Sequence, residues 1–122
     1  MEKPKIGSMG WMDITVPDAT SLKDFYAGVV GWEVKAINMG DYDDYAMKGG
    51  DSAVGICHAR GPNTGIPPVW MPYFVVADLD ASLAECEKRG GTRAGEIRSF
   101  GPEARYCCIR DPQGAYCVLF QA

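Results

Sequence analysis

The sequence predicts an α+β protein built from two consecutive βαβββ modules, and three observations carry that prediction. "GWMDITVPD" (10–18) and "WMPYFVVAD" (70–78) each read as a short strand that stops at an aspartate able to cap a helix. Both helices close on glycine, at Gly31 and at Gly90-Gly91. Both halves then end in a hairpin whose turn is rich in glycine and aspartate, Gly49-Gly50-Asp51 in one and Asp111-Pro112-Gln113-Gly114 in the other.

Taken in order, Asp18 opens a helix in which Leu22, Phe25, Tyr26, Val29 and Val30 recur at helical spacing. "WEVKAINM" (32–39) alternates as a strand with one buried face would, and "DYDDYAMKG" (41–49) and "SAVGICH" (52–58) supply two more strands. Module one thus spans about 9–58. "ARGPNTGIPP" (59–68) is polar and broken by prolines and glycines, so it reads as a linker. Module two, 69–122, begins with the strand "VWMPYFVV" (69–76). Asp78 caps its helix, with Leu79, Leu83 and Cys86 on one side and Glu85, Glu87, Lys88 and Arg89 on the wet side. "TRAGEIRSF" (92–100), "ARYCCIR" (104–110) and "AYCVLFQ" (115–121) are its last three strands.

A shift of 60 residues lays Val16 on Val76, Asp18 on Asp78 and Gly31 on Gly91. At the terminal hairpins a shift of 62 lays Met47 on Ile109, Lys48 on Arg110 and Ala53 on Ala115. Neither half is long enough to bury a sufficient core alone, so the sequence predicts that the two share one.

Composition limits what the protein can do. In 122 residues, 47% are apolar and 23% charged, which is ordinary for a globular domain. A net charge of −4 supplies no basic patch, so nucleic acid is not expected as a partner. No apolar run approaches the ~20 residues of a membrane span, and "MEKPKIGSMG" has no apolar core of a signal peptide, so a cytoplasmic location is expected. The five cysteines, Cys57, Cys86, Cys107, Cys108 and Cys117, form no CxxC pair and fall mostly in apolar stretches. They are expected to be reduced and buried.

The pattern "D…FY…GW" after the first strand (Asp18, Phe25, Tyr26, Gly31, Trp32), with "DPQG" before the last, resembles the vicinal oxygen chelate superfamily. Asp78, Gly90, Gly91, Asp111, Pro112 and Gly114 carry the resemblance in the second module. The superfamily includes glyoxalases, extradiol dioxygenases and bleomycin-resistance proteins, and the closest likeness is to a glyoxalase-like branch without an assigned reaction. The resemblance implies two modules whose strands curl into a U-shaped mixed sheet around a cleft, and a homodimer. In metal-dependent members it further implies four cation ligands: one on each first strand, seven residues before the capping aspartate, and one on each last strand.

Carried over, those positions are Trp11 and Met71 on the first strands and Val118 on the final strand, seven after Asp111. The 62-residue shift makes Ile56 the partner of Val118. None is a ligand for a hard or borderline cation, so no metal and no cofactor are expected. Residues two apart on a strand point the same way, which would add Asp13, His58, Tyr73 and Phe120 to the cleft. Either Tyr106 and Cys108, or Arg105 and Cys107, would join them, according to strand register.

Two functions follow. The first is a module that binds a small, largely apolar or aromatic organic molecule, lined by Trp11, Ile56, Met71, Val118 and Phe120 with Arg105 as a further option. The second is a metal-independent enzyme moving a proton, of isomerase, lyase or hydroxylase-like type, with Asp13 or His58 as base and Tyr73 as acid. A third reading, a cation held unconventionally by Asp13 and His58, ranks last. Each candidate also has a structural explanation: Asp13 capping backbone amides, His58 at an exposed strand end, Tyr73 in the core.

Overall fold

The computed structural model describes residues 3–122. Its strands are β1 (Met9–Val16), β2 (Glu33–Asn38), β3 (Asp43–Gly49), β4 (Ser52–His58), β5 (Met71–Val75), β6 (Thr92–Arg93), β7 (Arg98–Phe100), β8 (Ala104–Arg110) and β9 (Tyr116–Gln121). The helices are α1 (Ala19–Val30) and α2 (Leu79–Lys88). The order βαβββ therefore occurs twice, the third element of the second copy being split into β6 and β7. The expected single strand over 92–100 breaks at Ala94–Ile97. Ala94 still donates its N–H to Cys108 at 2.9 Å, but the chain then leaves β8 until Arg98 pairs with Tyr106.

The chain forms two compact units, Met12–Trp70 and a second made of the residues up to Trp11 with Met71–Ala122. The boundary thus falls inside β1, and the expected linker 59–68 belongs to the first unit.

In the first unit the strand order is β2-β3-β4-β1, with β4 and β1 parallel. Asp18 accepts the Ser21 N–H at 3.0 Å as N-cap of α1, and Gly31 ends the helix at φ +83°, a conformation that disfavours any side chain. Ala19 of the helix packs on Ile14, Tyr45, Met47 and Ile56 of the sheet. Tyr26, Trp32 and Trp70 form an aromatic group beside them, with the Trp70 indole N–H donating to the Tyr26 hydroxyl at 3.0 Å. A Cβ at Gly49 would stand 2.7 Å from the Trp32 ring, so this glycine is set by the indole. The "FY…GW" residues Tyr26 and Trp32 are therefore half-buried and packed against the core. Phe25, Val29 and Val30 are instead exposed, because Ala19, Leu22 and Tyr26 already form the sheet-facing stripe. β2, at the sheet edge, is exposed along its whole length rather than on one face.

The second unit repeats the order with β6-β8-β9-β5, β7 also pairing with β8. The chain leading into β1 runs along β5, Gly7 donating to the Val75 carbonyl at 2.7 Å and Ser8 accepting from Val75 at 2.9 Å. Asp78 caps α2 by accepting the Ala81 N–H at 3.1 Å. Leu79 and Leu83 bury against Cys107 and Ile109.

The two hairpins differ by one residue. β3 and β4 close at Gly49 opposite Ser52, leaving a two-residue loop, Gly50-Asp51. β8 and β9 pair out to Arg110 opposite Tyr116, and Asp111 N–H reaches the Ala115 carbonyl at 2.8 Å, leaving Pro112-Gln113-Gly114 as the loop. Asp111 Oδ1 accepts from Gln113 and Ala115, at 2.8 and 3.0 Å, and Gly114 takes φ +91°. The shift between copies is consequently 62 in β3/β8 but 63 in β4/β9: Lys48 pairs with Ala53, while Arg110 pairs with Tyr116.

Candidate functional site

One extra residue reverses which side of a sheet a strand's side chains occupy. In the first unit Ile14 is opposite Ile56, and Val16 opposite His58, on the helix-facing side. Asp13 is opposite Gly55 and Thr15 opposite Cys57, on the averted side. The expectation that Ile56 and His58 share a face with Asp13 is corrected by this register. Ile56 is wholly buried under α1.

His58 is held on its own side. Its Nδ1–H donates to the Asp43 carbonyl at 2.8 Å, which leaves Nε2 as the acceptor nitrogen. Asp44 Oδ1 accepts the His58 backbone N–H at 2.8 Å and lies 3.4 Å from Nδ1. The rings of Tyr42 and Tyr45 flank the imidazole at 5.5 and 6.4 Å. Asp18 is held below the ordinary carboxylate value first by the Ser21 amide and hydroxyl, and last by the nearby histidine.

The averted face of the first unit carries six positions in two rows: Asp44, Cys57 and Thr15, then Ala46, Gly55 and Asp13. Thr15 and Asp44 are each 6% exposed, an unusual burial for such groups. The Cys57 thiol is pushed far above its ordinary value by burial, and further by Asp13 and by Asp44, with which it also hydrogen-bonds. Burial and the two carboxylates all favour the protonated thiol over the thiolate. The sequence does not single out Asp44 and Cys57: "DYDDYAMKG" (41–49) reads there only as a strand, and Cys57 as one of five cysteines in mostly apolar stretches.

The averted face of the second unit is set by the register of β5, β8 and β9. Tyr73 is opposite Val118, Val75 opposite Phe120, Cys108 opposite Val118 and Tyr106 opposite Phe120. Met71 and Val118 are buried, and the Cys108 thiol lies 3.6 Å from the Met71 sulfur. The Tyr73 and Tyr106 rings are 6.0 Å apart, and Phe120 meets Phe100 edge-on at 6.4 Å. Register selects Tyr106 and Cys108 for this face. Arg105 and Cys107 point to α2, so Arg105 is corrected to a structural partner: its guanidinium bonds both Asp80 oxygens at 3.1 and 3.2 Å. That pairing raises the Arg105 value and lowers that of Asp80. Trp11, half-buried, falls in this second unit at the start of β1.

With the register known, the four positions that the resemblance assigns to metal ligands are Trp11, Gly55, Met71 and Val118. They present an indole, no side chain, a thioether and an isopropyl group, which do not fit a hard or borderline cation. Among the described residues no group of three or more His, Cys, Asp or Glu side chains is disposed to hold one.

The family described as Glyoxalase/Bleomycin resistance protein/Dioxygenase superfamily matches residues 8–118. The chain belongs to this superfamily. Relatives include "Putative glyoxylase CFP32" of Mycobacterium tuberculosis (strain CDC 1551 / Oshkosh), 28% identical over 95% of this chain and 46% of its own. "Anthracycline biosynthesis protein DnrV" of Streptomyces peucetius is 27% identical over 89% of this chain and 45% of its own. The chain thus spans about half the length of these relatives. Among solved structures, a superfamily member from Vibrio splendidus 12B01 aligns with TM-score 0.63 at 15% identity, covering 92% of this chain and 97% of that one. Methylmalonyl-CoA epimerase from Mycobacterium tuberculosis aligns at 0.59 and 17% identity, covering 99% and 92%. These structures establish the glyoxalase/bleomycin-resistance fold in this superfamily member. No described helix is long and apolar enough to cross a membrane.

Proposed function

We propose that this superfamily member binds a small, flat, largely apolar or aromatic organic molecule against the averted face of its second unit, without the cation used by metal-dependent relatives. The observation that carries the reading is the substitution of ligand positions by apolar groups: Met71 and Val118 are buried beside Tyr73, Tyr106 and Phe120. The two phenol groups supply polar points to orient a ligand on an otherwise apolar surface. The name of the Streptomyces peucetius relative, a protein of anthracycline biosynthesis, favours a flat aromatic class. We further propose a cytoplasmic homodimer, supported by the exposed apolar flank of Phe25, Val29 and Val30 on α1. A sedimentation mass near that of one chain, 13.2 kDa, would refute the dimer.

The test is native mass spectrometry of the purified protein for a co-purifying compound, followed by titration of that compound, or of a polycyclic aromatic panel, into wild type and Tyr73→Ala. Saturable binding weakened at least tenfold by the substitution supports the reading; binding that ignores Tyr73 refutes it. Zinc, nickel, manganese and iron(II) at micromolar concentration are expected to leave the melting temperature unchanged.

A second reading, a metal-independent enzyme, is favoured by the placement of Asp13 near Cys57 on the averted face of the first unit. Asp13 would act as base toward an acidic C–H of a carbonyl compound, the thiol staying protonated nearby. Asp13→Asn should then abolish turnover while leaving binding largely intact. Asp13 and His58 lie on opposite faces of one sheet, which argues against their sharing an ion or a substrate proton.

A further inference from the structure

The chain leading into β1 does more than extend a strand. Held by the two Val75 bonds, it brings Lys3 and Pro4 to the open end of the second unit, opposite the β7–β8 turn. Between them lies an open pocket of about 570 Å³, within the range of small-molecule sites. Its wall is mainly apolar: Pro4 on one side, Phe100 and Pro102 on the other, with Phe120 of β9 and Ala122 just after the strand completing it. Phe100 is 68% exposed, although it already meets Phe120 edge-on at 6.4 Å. A large aromatic side chain left in water over an apolar hollow is a surface without its partner. Lys3 and Glu103 also line the pocket, and no ion pair within 4.0 Å joins them.

We propose that this pocket is the docking point for an aromatic ring, held against the paired rings of Phe100 and Phe120 and walled by the N-terminal segment. The inference deepens the proposed function, on which it rests, since Phe120 belongs both to the pocket and to the averted face. Phe100 is the residue that selects for a planar ring: an exposed phenyl edge gains contact with a flat π-face that it does not gain with a branched aliphatic group.

The experiment titrates Nile red, an uncharged polycyclic dye whose emission shifts blue in an apolar site, into the full chain. Wild type is expected to bind one equivalent saturably. Phe100→Ala, which removes an exposed side chain and spares the core, is expected to weaken binding at least tenfold; Phe100→Tyr is expected to retain it within threefold. Ile37→Ala, an exposed apolar residue of β2 in the first unit, is the control and should leave the dye unaffected. Absence of saturable binding, equal binding by Phe100→Ala, or equal loss in Ile37→Ala each overturns the pocket. Tyr73→Ala separates the two claims. Sensitivity to Tyr73 but not to Phe100 leaves the averted-face reading standing and removes the pocket. Sensitivity to Phe100 alone does the reverse.

Discussion

The two averted sheet faces occupy equivalent places in the repeat and carry opposite chemistry. Asp13, Thr15, Asp44, Ala46, Gly55 and Cys57 of the first unit correspond to Tyr73, Val75, Tyr106, Cys108, Val118 and Phe120 of the second. One face is small and acidic; the other is bulky and aromatic. The helix-facing sides, by contrast, are alike, Met47 and Ile56 in one copy standing for Ile109 and Leu119 in the other. Packing under a helix demands apolar volume in both units, whereas the averted face is released from that demand. The repeat thus keeps its core and varies its face, which is where ligand chemistry can differ between the halves.

The contrast can be broken most severely by exchanging chemistries. Val118→Asp, at a position 4% exposed, places an unpaired carboxylate among apolar neighbours and should cost about 4 kcal/mol or more, read by urea unfolding. A smaller but distinct loss is expected on the acidic face. Asp44→Ala leaves the His58 N–H without its 2.8 Å acceptor, for about 1–3 kcal/mol, with Asp44→Asn recovering part of it.

Thiol chemistry sharpens the comparison without unfolding anything. Because burial, Asp13 and Asp44 raise the Cys57 value, this thiol should resist iodoacetamide at pH 9 in the native protein, read by peptide mapping. Asp13→Asn removes one of the charges that suppress the thiolate and should speed its alkylation. Unchanged protection would mean that burial alone governs the thiol.

The smallest effect lies on the helix side, at Asp80–Arg105. The Asp80 value is lowered in the folded state, chiefly by hydrogen bonds from Arg105 and then by its charge. The pair therefore stabilises above the ordinary aspartate range and loses that contribution as pH falls through the lowered value. Asp80→Asn should reduce the melting temperature slightly at neutral pH and flatten its decline in acid. Both groups are solvent-accessible, so the change should shrink further in high salt.

Much of this was legible in the chain. Asp18 and Asp78 announce helix starts because a capping carboxylate acts on amides two or three residues away, and Gly31 announces an end through its left-handed backbone. Strand alternation on β5 and β9 was enough to bring Met71, Tyr73, Val118 and Phe120 onto one face. His58 and Ile56 were misplaced by a different cause: a shift read from β3 and β8 was carried through a hairpin whose loop is one residue longer in the second copy. Likewise Arg105 and Tyr106 could not be told apart until β8 was seen paired with β9.

Composition, caps and the doubled order of elements are local properties, and the sequence by itself determined them: two βαβββ modules and no ordinary ligands at Trp11, Met71 and Val118. Which side of each sheet a residue occupies was decided by tertiary pairing, because a period of two turns a single added residue into a complete reversal. The Cys57–Asp44 contact, the Asp80–Arg105 clasp and the Phe100–Phe120 pocket all depend on that choice of side.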